Sequence, residues 1–467
     1  MRIRRIPFAC LIALSLIGSY ASAGAQRPTR VALQRTVDSL VVNALAEGPV
    51  AGISVAVVRG KDTVVMKGYG FADVENEVPA TTQSVYRIGS ITKQFTAAAV
   101  LQLVEQSKLS LDDSIGKFLP TLPSAWRGAP IRQLLNHTSG IPSYTSAGPR
   151  WFSKMRLDLS HDSLLAIIAA DSMDFARGSQ WRYNNTGYYL LGMLIEKITG
   201  RSYADVVRDQ LVAPLGLRAT MYCETRAVIK HRAQGYQVTP DDKLVNADPL
   251  SMNQPFAAGA LCSTVGDLIA WQRALAAGRV VKSGSYAAMT APEGAAKGPG
   301  YGYGLSVDTL GGRSRVLHGG GINGFNSMLM YYPSDTLSIA VLVNTNGPWA
   351  DRLANNIARA ALGAPLQGSP ARLVDLPTTA EERARFAGTY RLVLPNGRTL
   401  NLRVFERDGK LLAQGDGQGE IPLRYQGNSV FGASFDRSMR LTFAPGNPTP
   451  KLTLLQGGAT IDGPRVP

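Results

Sequence analysis

The chain has 467 residues, of which 45% are hydrophobic and 18% charged, and this composition excludes global disorder. Its length exceeds that of a typical single domain and predicts two or three folded units. The formal net charge is +15, but the basic residues are spread along the chain without a Lys/Arg block, a zinc-finger spacing or an aromatic RNA-binding motif. We therefore expect no nucleic-acid partner.

Residues 1–25 have the organisation of a secretory signal peptide. Three arginines within the first five residues precede an apolar run over 6–17, and small residues follow at Ala21-Ser22-Ala23. The apolar run is too short to span a bilayer, and no later run reaches the roughly 18 to 20 apolar residues that spanning requires. We expect an exported, periplasmic or extracellular protein with no integral membrane segment after signal cleavage.

The next predicted elements belong to one domain over residues 26–362. Two apolar strands at 51–58 and 63–66, joined by a turn at Gly60, form a hairpin. An Ala-rich, largely buried helix begins at Ser90. Because strands at both ends of this segment flank a helical middle, they predict an α+β domain with one sheet built from both ends. The remaining predicted elements are helices at 163–170, 186–198 and 351–362 and strands at 315–318, 327–332 and 337–343.

Two segments complete the chain. Residues 363–380 contain Gly, Pro and Ser with little periodicity, which is typical of a linker. Residues 381–467 alternate short apolar strands with turn residues such as Asp408-Gly409 and Pro445-Gly446-Asn447. This pattern predicts a small antiparallel all-β domain, either a barrel or a sandwich.

A Ser-x-x-Lys pattern carries the first chemical signal, and it occurs twice. Ser90 and Lys93 lie at the start of the long predicted helix, where residues three apart share a face. A lysine that is partly desolvated can be neutral enough to accept the proton of a serine hydroxyl. Ser114 and Lys117 instead precede Phe118-Leu119-Pro120 and belong to a turn. The first copy therefore predicts covalent serine hydrolysis.

Two further motifs occur once each, at Tyr183-Asn184-Asn185 and His318-Gly319-Gly320. With these motifs the chain resembles the serine beta-lactamase and penicillin-binding protein superfamily, in the class C-like branch that includes D-aminopeptidases, D-alanyl-D-alanine carboxypeptidases and esterases. Segments such as Leu134 to Ile141 and Leu261 to Leu268 are similar to that branch and follow in the expected order. The resemblance implies an antiparallel sheet flanked by a helical region, and residues after Gly388 resemble the lipocalin-like β domain of some members.

The resemblance also implies roles for individual residues. Ser90 would be the acylated nucleophile, Lys93 its proton partner and Tyr183 a second general base and acid. A nearby ammonium would bring the phenol pKa of Tyr183 down from its usual value near 10. Substrate binding and the oxyanion hole would involve the backbone N–H groups of Ser90 and Gly321. Asn185, His318 and Gly320 would complete that region.

One departure from the family pattern bears on the substrate. Many beta-lactamases and penicillin-binding proteins carry Lys-Thr-Gly at the third motif, where this chain has His318. A mostly uncharged histidine should hold a substrate carboxylate less firmly than lysine, so hydrolysis of an ester or a D-amino-acid peptide fits better than beta-lactam hydrolysis. The substrate would be a small molecule or a short peptide. A beta-lactamase or D,D-carboxypeptidase, and a catalytically silent envelope ligand-binding protein, remain as alternatives.

Several other residues receive simpler interpretations. No His-Glu-x-x-His occurs and the four histidines are scattered, so we expect neither a metal site nor a cofactor. By resemblance, His137 is a structural residue near the site. Asp112 and Asp113 are interpreted as a solvated turn. Cys223 and Cys262 could form a disulfide or remain two structural thiols.

Overall fold

The computed structural model of the protein describes residues 28–239, 241–368, 373–394, 399–416, 420–433, 436–456 and 459–466. The predicted signal peptide, residues 1–25, lies outside these ranges. Within them, no helix combines the length and apolar character needed to cross a bilayer.

Twelve strands precede the C-terminal barrel in the described part of the chain. They are β1 (Gly52–Arg59), β2 (Asp62–Asp73), β3 (Val78–Pro79), β4 (Tyr86–Arg87), β5 (Met221–Tyr222), β6 (Tyr236–Val238), β7 (Leu244–Asn246), β8 (Leu261–Ser263), β9 (Ser306–Leu310), β10 (Arg313–Ile322), β11 (Phe325–Tyr332) and β12 (Leu337–Val343). Seven of them form an antiparallel sheet in the order β3-β2-β1-β12-β11-β10-β9. Because β1 pairs with β12, with Val55 opposite Val341, the sheet joins both ends of this region as the sequence predicts.

Thirteen α-helices occur in the described ranges, most of them between the two halves of the sheet. They are α1 (Arg30–Glu47), α2 (Thr92–Glu105), α3 (Ser124–Arg127), α4 (Ile131–Leu135), α5 (Pro149–Phe152), α6 (His161–Leu165), α7 (Asn185–Thr199), α8 (Tyr203–Val206), α9 (Phe256–Gly259), α10 (Val265–Ala276), α11 (Ser283–Met289), α12 (Trp349–Leu362) and α13 (Ala380–Phe386). The sequence prediction of a helix over 163–170 is too long, because α6 begins at the Ser160 cap and ends at Leu165, after which the chain continues in turns.

The central strands are buried on both faces. All seven residues of β12 are buried, as its continuous apolar run requires. On one face, Val55 and Val341 pack with α1 and α12. On the other, Ala340 and Leu342 belong to a core that includes α2 and α10. The first residues of α2 are thereby held against the sheet.

The C-terminal residues form a closed antiparallel barrel of eight strands. Phe386, at the end of α13, is buried among barrel side chains and lies 5.2 Å from Phe431 and 4.9 Å from Phe443 between ring centroids. The predicted α+β class with a small all-β barrel is confirmed, while the boundaries at 362, 363 and 380 stay a prediction. The strands are β13 (Gly388–Val393), β14 (Thr399–Arg407), β15 (Lys410–Gly415), β16 (Glu420–Gly427), β17 (Val430–Ala433), β18 (Asp436–Phe443), β19 (Lys451–Gln456) and β20 (Ala459–Val466).

Candidate active site

Ser90 lies in a short 3₁₀ turn, Gly89–Ile91, that leads directly into α2. Gly89 has a φ of +51° and a Cβ there would lie 3.0 Å from the backbone nitrogen of Gly321. A side chain is therefore disfavoured at Gly89 both by conformation and by space. The turn brings Ser90, which is partly exposed, next to the last residues of β10.

Lys93 is fully buried and its ammonium nitrogen contacts three oxygens. Nζ lies 3.1 Å from Ser90 Oγ, 2.8 Å from Asn185 Oδ1 and 2.9 Å from the carbonyl oxygen of Ala258. The Asn185 amide is oriented by its own Nδ2, which donates to Thr145 Oγ1 at 3.0 Å. Three elements, α2, α7 and α9, therefore converge on one amine.

Burial lowers the pKa of Lys93 well below its ordinary value. A neutral amine has two N–H donors and one lone pair. Because Asn185 Oδ1 and the Ala258 carbonyl can only accept hydrogen bonds, they take the two N–H groups. The lone pair then faces Ser90 Oγ, and the amine is arranged to receive the serine proton.

Tyr183 contacts both members of this pair. Lys93 Nζ lies 4.7 Å from the centroid of its ring, and the Ser90 side chain is near its hydroxyl, where it offsets part of the effect of burial on the pKa of Tyr183. Burial raises the pKa of Tyr183 above its ordinary value, opposite in direction to the expectation from sequence. In this environment the phenol is protonated, because burial also removes the ammonium charge that would have stabilised a phenolate.

His318 is buried near Tyr183, and both of its ring nitrogens form hydrogen bonds within the protein. Nδ1 donates to the carbonyl oxygen of Gly319 at 2.6 Å, so Nε2 accepts from the Tyr301 hydroxyl at 2.9 Å. Burial lowers the pKa of His318 to about 3. The imidazole is neutral, and its ring centroid lies 6.2 Å from that of Tyr183. Sequence reasoning did not single out Tyr301, which follows only a glycine-rich loop.

His137 contacts Tyr183 from the other side, with 4.4 Å between ring centroids. Its Nδ1 accepts the backbone N–H of Asn184 at 3.2 Å, and its φ of +65° places it in the left-handed region. Burial lowers the pKa of this imidazole as well. His137 thus holds the start of α7 and the ring of Tyr183 in place, and none of its contacts is to Ser90.

Gly320 and Gly321 lie where β10 passes the serine turn. A Cβ at Gly320 would lie 2.0 Å from the carbonyl oxygen of Ile88, whereas a Cβ at Gly321 would meet no atom within 4 Å. Gly320 permits close packing of the strand against the turn. Gly321 borders open space beside Ser90, which the oxyanion-hole role expected from the sequence would require.

A cavity of about 120 Å³ opens onto Ser90. The loop from Tyr144 to Trp151, which the sequence could not place, forms one wall. Both aromatic side chains are fixed by Gln254, whose backbone oxygen accepts from the Tyr144 hydroxyl and whose Oε1 accepts from Trp151 Nε1, each at 2.7 Å. None of the described lining residues is charged. They are Gly89, Ser90, Tyr144, Thr145, Trp151, Asn185, Leu250, Pro255, Ala258, Gly259, Gly321, Ile322 and Asn323.

The second Ser-x-x-Lys copy has a different environment. Lys117 Nζ is bound to Asp113 Oδ1 at 2.8 Å and is largely exposed. Asp112 is exposed and binds Arg132 at 2.7 Å, so these carboxylates form ion pairs at the surface rather than a purely solvated turn. This lysine has a carboxylate partner in place of a serine.

Two remaining predictions concern cysteines and metals. Cys223 and Cys262 are buried free thiols in the structure, which favours the second of the two alternatives. Over the described ranges, no group of three or more His, Cys, Asp or Glu side chains has an arrangement that could hold a metal ion.

Comparison with known proteins identifies the family. A beta-lactamase family model matches residues 37–364, which is well over half of the chain. The chain belongs to the beta-lactamase family. Members of this family are serine hydrolases that act by acyl transfer.

Individual relatives of this beta-lactamase family member include amidases and penicillin-binding protein homologues. A D-stereospecific amidohydrolase from Streptomyces sp. is 31% identical and superposes with a TM-score of 0.61 over 72% of this chain and 98% of that one. D-amino acid amidase from Ochrobactrum anthropi SV3 is 25% identical, with a TM-score of 0.63 over 70% and 98% of the two chains. The octameric penicillin-binding protein homologue from Pyrococcus abyssi is 28% identical, with a TM-score of 0.63, and covers 92% of this chain and 99% of its own.

A relative known from sequence is longer than the region it shares with this chain. Protein flp of Staphylococcus aureus strain MW2 is 28% identical over 335 residues, which are 69% of this chain. The chain spans 66% of the length of that relative.

Proposed function

We propose that this protein is an exported serine hydrolase that cleaves a small ester or a D-amino-acid amide through an acyl-enzyme on Ser90. The observation that carries the proposal is the environment of Lys93, a buried amine whose two N–H groups have fixed acceptors and whose lone pair faces Ser90 Oγ. That arrangement suits removal of a serine proton. Burying a lysine costs folding free energy, so we attribute the position of Lys93 to catalysis and not to stability of the fold.

Acylation begins when Ser90 Oγ attacks the substrate carbonyl carbon. The serine proton passes to Lys93 Nζ, and the carbonyl oxygen becomes an oxyanion that the backbone N–H groups of Ser90 and Gly321 stabilise. Each such donor contributes about 10² to 10³ in rate. Tyr183 then gives its hydroxyl proton to the leaving group and regains a proton from Lys93, so the amine returns to its neutral form with the acyl group on Ser90.

Deacylation repeats these steps with water as the nucleophile. The water gives a proton to Tyr183, which passes its own hydroxyl proton to the neutral Lys93 amine, as the water attacks the acyl carbon. Ser90 Oγ then leaves and takes that proton from Lys93. General acid and base catalysis of this type contributes about 10² to 10⁴ in rate. The buried, neutral imidazoles of His137 and His318 fix the position of Tyr183 and leave the charge balance of the site unchanged.

The cavity beside Ser90 defines the acyl group that we propose. Its walls of Tyr144, Trp151, Leu250, Pro255 and Ile322 are mostly apolar, and among the described lining residues no cation is present to hold a carboxylate. Its volume of about 120 Å³ is smaller than the roughly 150 Å³ of a cavity that holds benzene. Short acyl groups that carry no carboxylate fit this space.

The amidase relatives support the D-amino-acid class of substrate. The Ochrobactrum protein is named a D-amino acid amidase and the Streptomyces protein a D-stereospecific amidohydrolase. Beta-lactams and peptides ending in D-alanine carry a carboxylate, for which neither His318 nor the cavity lining offers a charged partner. We therefore favour amides and esters over beta-lactam or carboxypeptidase substrates.

Covalent labelling with a fluorophosphonate probe tests the nucleophile. We expect mass spectrometry to find the probe on the peptide that contains Ser90, and no label on Ser90→Ala. Ser114→Ala is the matched control, because it removes the serine of the other Ser-x-x-Lys copy and should label like the wild type. Labelling that persists in Ser90→Ala would contradict the proposal.

Turnover of a substrate panel then tests the substrate class. Short acyl esters and D-alanine amide should be hydrolysed, D-phenylalanine amide more slowly because of its larger side chain, and nitrocefin least. A panel led by nitrocefin would establish a beta-lactamase instead. No turnover of any compound would favour a silent binding protein.

A further inference from the structure

A second cavity lies at the far end of the central sheet from Ser90. It has a volume of about 390 Å³ and is formed by the turn between β1 and β2, the C-terminal end of α10 and the ends of β11 and β12. Along β11, Asn326 pairs with Gly321 beside the serine and Tyr331 reaches this cavity. Five residues of strand separate the two ends by about 17 Å, so the cavity is not part of the acyl site.

Apart from Gly60, Ala276 and Ala277, the residues that line this space are basic or hydroxyl-bearing. We name it the basic cavity and define it by the polar residues that face it, which are Lys61, Arg273, Arg279, Tyr331, Thr336 and Ser338. None of its described lining residues is acidic. Asp335, the neighbour of Thr336, is directed towards Arg313, with 3.7 Å between Oδ2 and Nε.

The three cations of the basic cavity differ from the arginines that are paired with a carboxylate. Arg150, for example, binds Asp171 at 2.7 Å, and Arg407 is paired with Glu420. Among the described residues, Lys61, Arg273 and Arg279 form no ion pair with any carboxylate. Three like charges around one space repel one another unless an anion or solvent neutralises them.

Helix electrostatics alone do not account for this cluster. Arginines at the end of α10 are favoured by the partial negative charge of a helix C-terminus, which amounts to roughly half an elementary charge. Three full positive charges exceed that by several fold. Arg273 is also half-buried, where an uncompensated charge is more costly than at the exposed Lys61.

We propose that the basic cavity binds a phosphate-bearing ligand. Two planar guanidinium groups suit the oxygens of a phosphate, to which arginine donates paired hydrogen bonds, and a lysine adds a third charge. Thr336 and Ser338 already donate their hydroxyls to the backbone of Asp335 and the side chain of Gln272, so the cations provide the main donors. The volume exceeds the roughly 30 Å³ of one water molecule more than tenfold, which leaves room for the group that the phosphate is attached to.

Binding experiments on the full chain test this site. Isothermal titration calorimetry would use inorganic phosphate and sn-glycerol 3-phosphate, and co-sedimentation would use phosphatidylcholine vesicles with and without phosphatidylglycerol. We expect saturable binding that Arg273→Gln and Lys61→Gln each weaken about tenfold or more. Arg218→Gln, which removes an exposed arginine elsewhere on the surface, is the control and should bind like the wild type.

The pattern of results separates the outcomes. Binding of the soluble phosphates with this variant pattern supports a soluble ligand, and binding confined to phosphatidylglycerol vesicles with the same pattern supports a lipid headgroup. No saturable binding of any probe, or an equal loss in Arg218→Gln, overturns the proposal. If Arg273→Gln melts at a lower temperature than the wild type, its weaker binding could reflect lost stability. Binding by Lys61→Gln, which changes an exposed residue, then decides whether the cavity binds phosphate. Ester hydrolysis should be unchanged in all variants, so this test is independent of the proposed function.

Discussion

At the scale of single residues, the proposed chemistry depends on Lys93. A buried amine loses hydration, which lowers its pKa. Its contacts with Asn185 Oδ1 and the Ala258 carbonyl then select the direction in which the lone pair points. Lys117, in the same tetrapeptide pattern, is exposed and paired with Asp113, so it stays charged and unavailable as a base.

Lys93→Met tests this view through both activity and pH dependence. Hydrolysis should fall by about 10² to 10⁴, because the proton acceptor is lost. Between the lowered pKa of folded Lys93 and the value near 10.4 of the unfolded chain, the unfolded state binds more protons, so wild-type stability rises with pH. The free energy of unfolding of the wild type should therefore gain on that of Lys93→Met as pH rises through this window.

Chemical denaturation at a series of pH values measures that difference. Lys117→Met is the control and should leave both hydrolysis and the pH profile close to those of the wild type, since an exposed ion pair contributes little. A constant difference between wild type and Lys93→Met at all pH values would contradict a neutral buried amine.

At the scale of elements, the site depends on how closely β10 approaches the turn before α2. A Cβ on Gly320 would lie 2.0 Å from the carbonyl oxygen of Ile88 and 2.3 Å from Ser327 Oγ, which is too close for either atom. Ser327 Oγ also donates to the Ile88 carbonyl at 2.8 Å and ties β11 to the same point. The distance from Ser90 to the Gly321 N–H is thus set by strand packing.

Gly320→Ala should push β10 away from the serine turn. Because the obstructing atom is a backbone oxygen, we expect a loss of about 1–3 kcal/mol in stability and a fall in kcat of about 10² as the Gly321 donor moves. Steady-state kinetics and thermal melting measure both effects. Gly284→Ala is the control, since a Cβ there meets no atom within 4 Å and alanine is favoured within α11. Wild-type kcat in Gly320→Ala would show that this packing is not needed.

At the scale of the whole molecule, the domain that contains Ser90 and the barrel have separate cores. Phe386 belongs to the barrel core, whereas Leu353 of α12 belongs to the core beneath the central sheet. The aromatic side chains in the barrel are in contact with one another, with 4.9 Å between the rings of Phe386 and Phe443. This packing gives the barrel its own source of stability.

Phe386→Ala and Leu353→Ala should therefore act on different unfolding transitions. Loss of a buried phenylalanine costs about 3–5 kcal/mol and loss of a buried leucine about 2–5 kcal/mol. We expect calorimetry to show two transitions, with Phe386→Ala lowering one and Leu353→Ala the other, and hydrolysis at low temperature retained in Phe386→Ala. A single transition shifted by both variants would contradict separate folding units.

Sequence patterns predicted the central strands and the helices α2, α7 and α12 but missed α10 and also α1. That helix buries Leu33, Val37, Val41 and Ala44, a spacing of three and four residues that could have identified it, because such residues share one helix face. The helix predicted at 163–170 was too long because Ile167 and Ile168 are apolar and buried in turns. These residues are apolar because they are buried, although the backbone over 166–170 forms turns and not a helix.

The sequence by itself determined the family motifs, the order of the elements and the pairing of terminal strands, because these depend on local residue types and on hydrophobic periodicity. Only the tertiary structure decided that Ala258 and Asn185 accept hydrogen bonds from the Lys93 amine. It also decided that the Tyr301 hydroxyl is hydrogen-bonded to His318 Nε2, and that Gln254 holds the aromatic walls of the cavity. These contacts join residues far apart in the chain. Their directions and desolvation depend on three-dimensional packing, which no local pattern encodes.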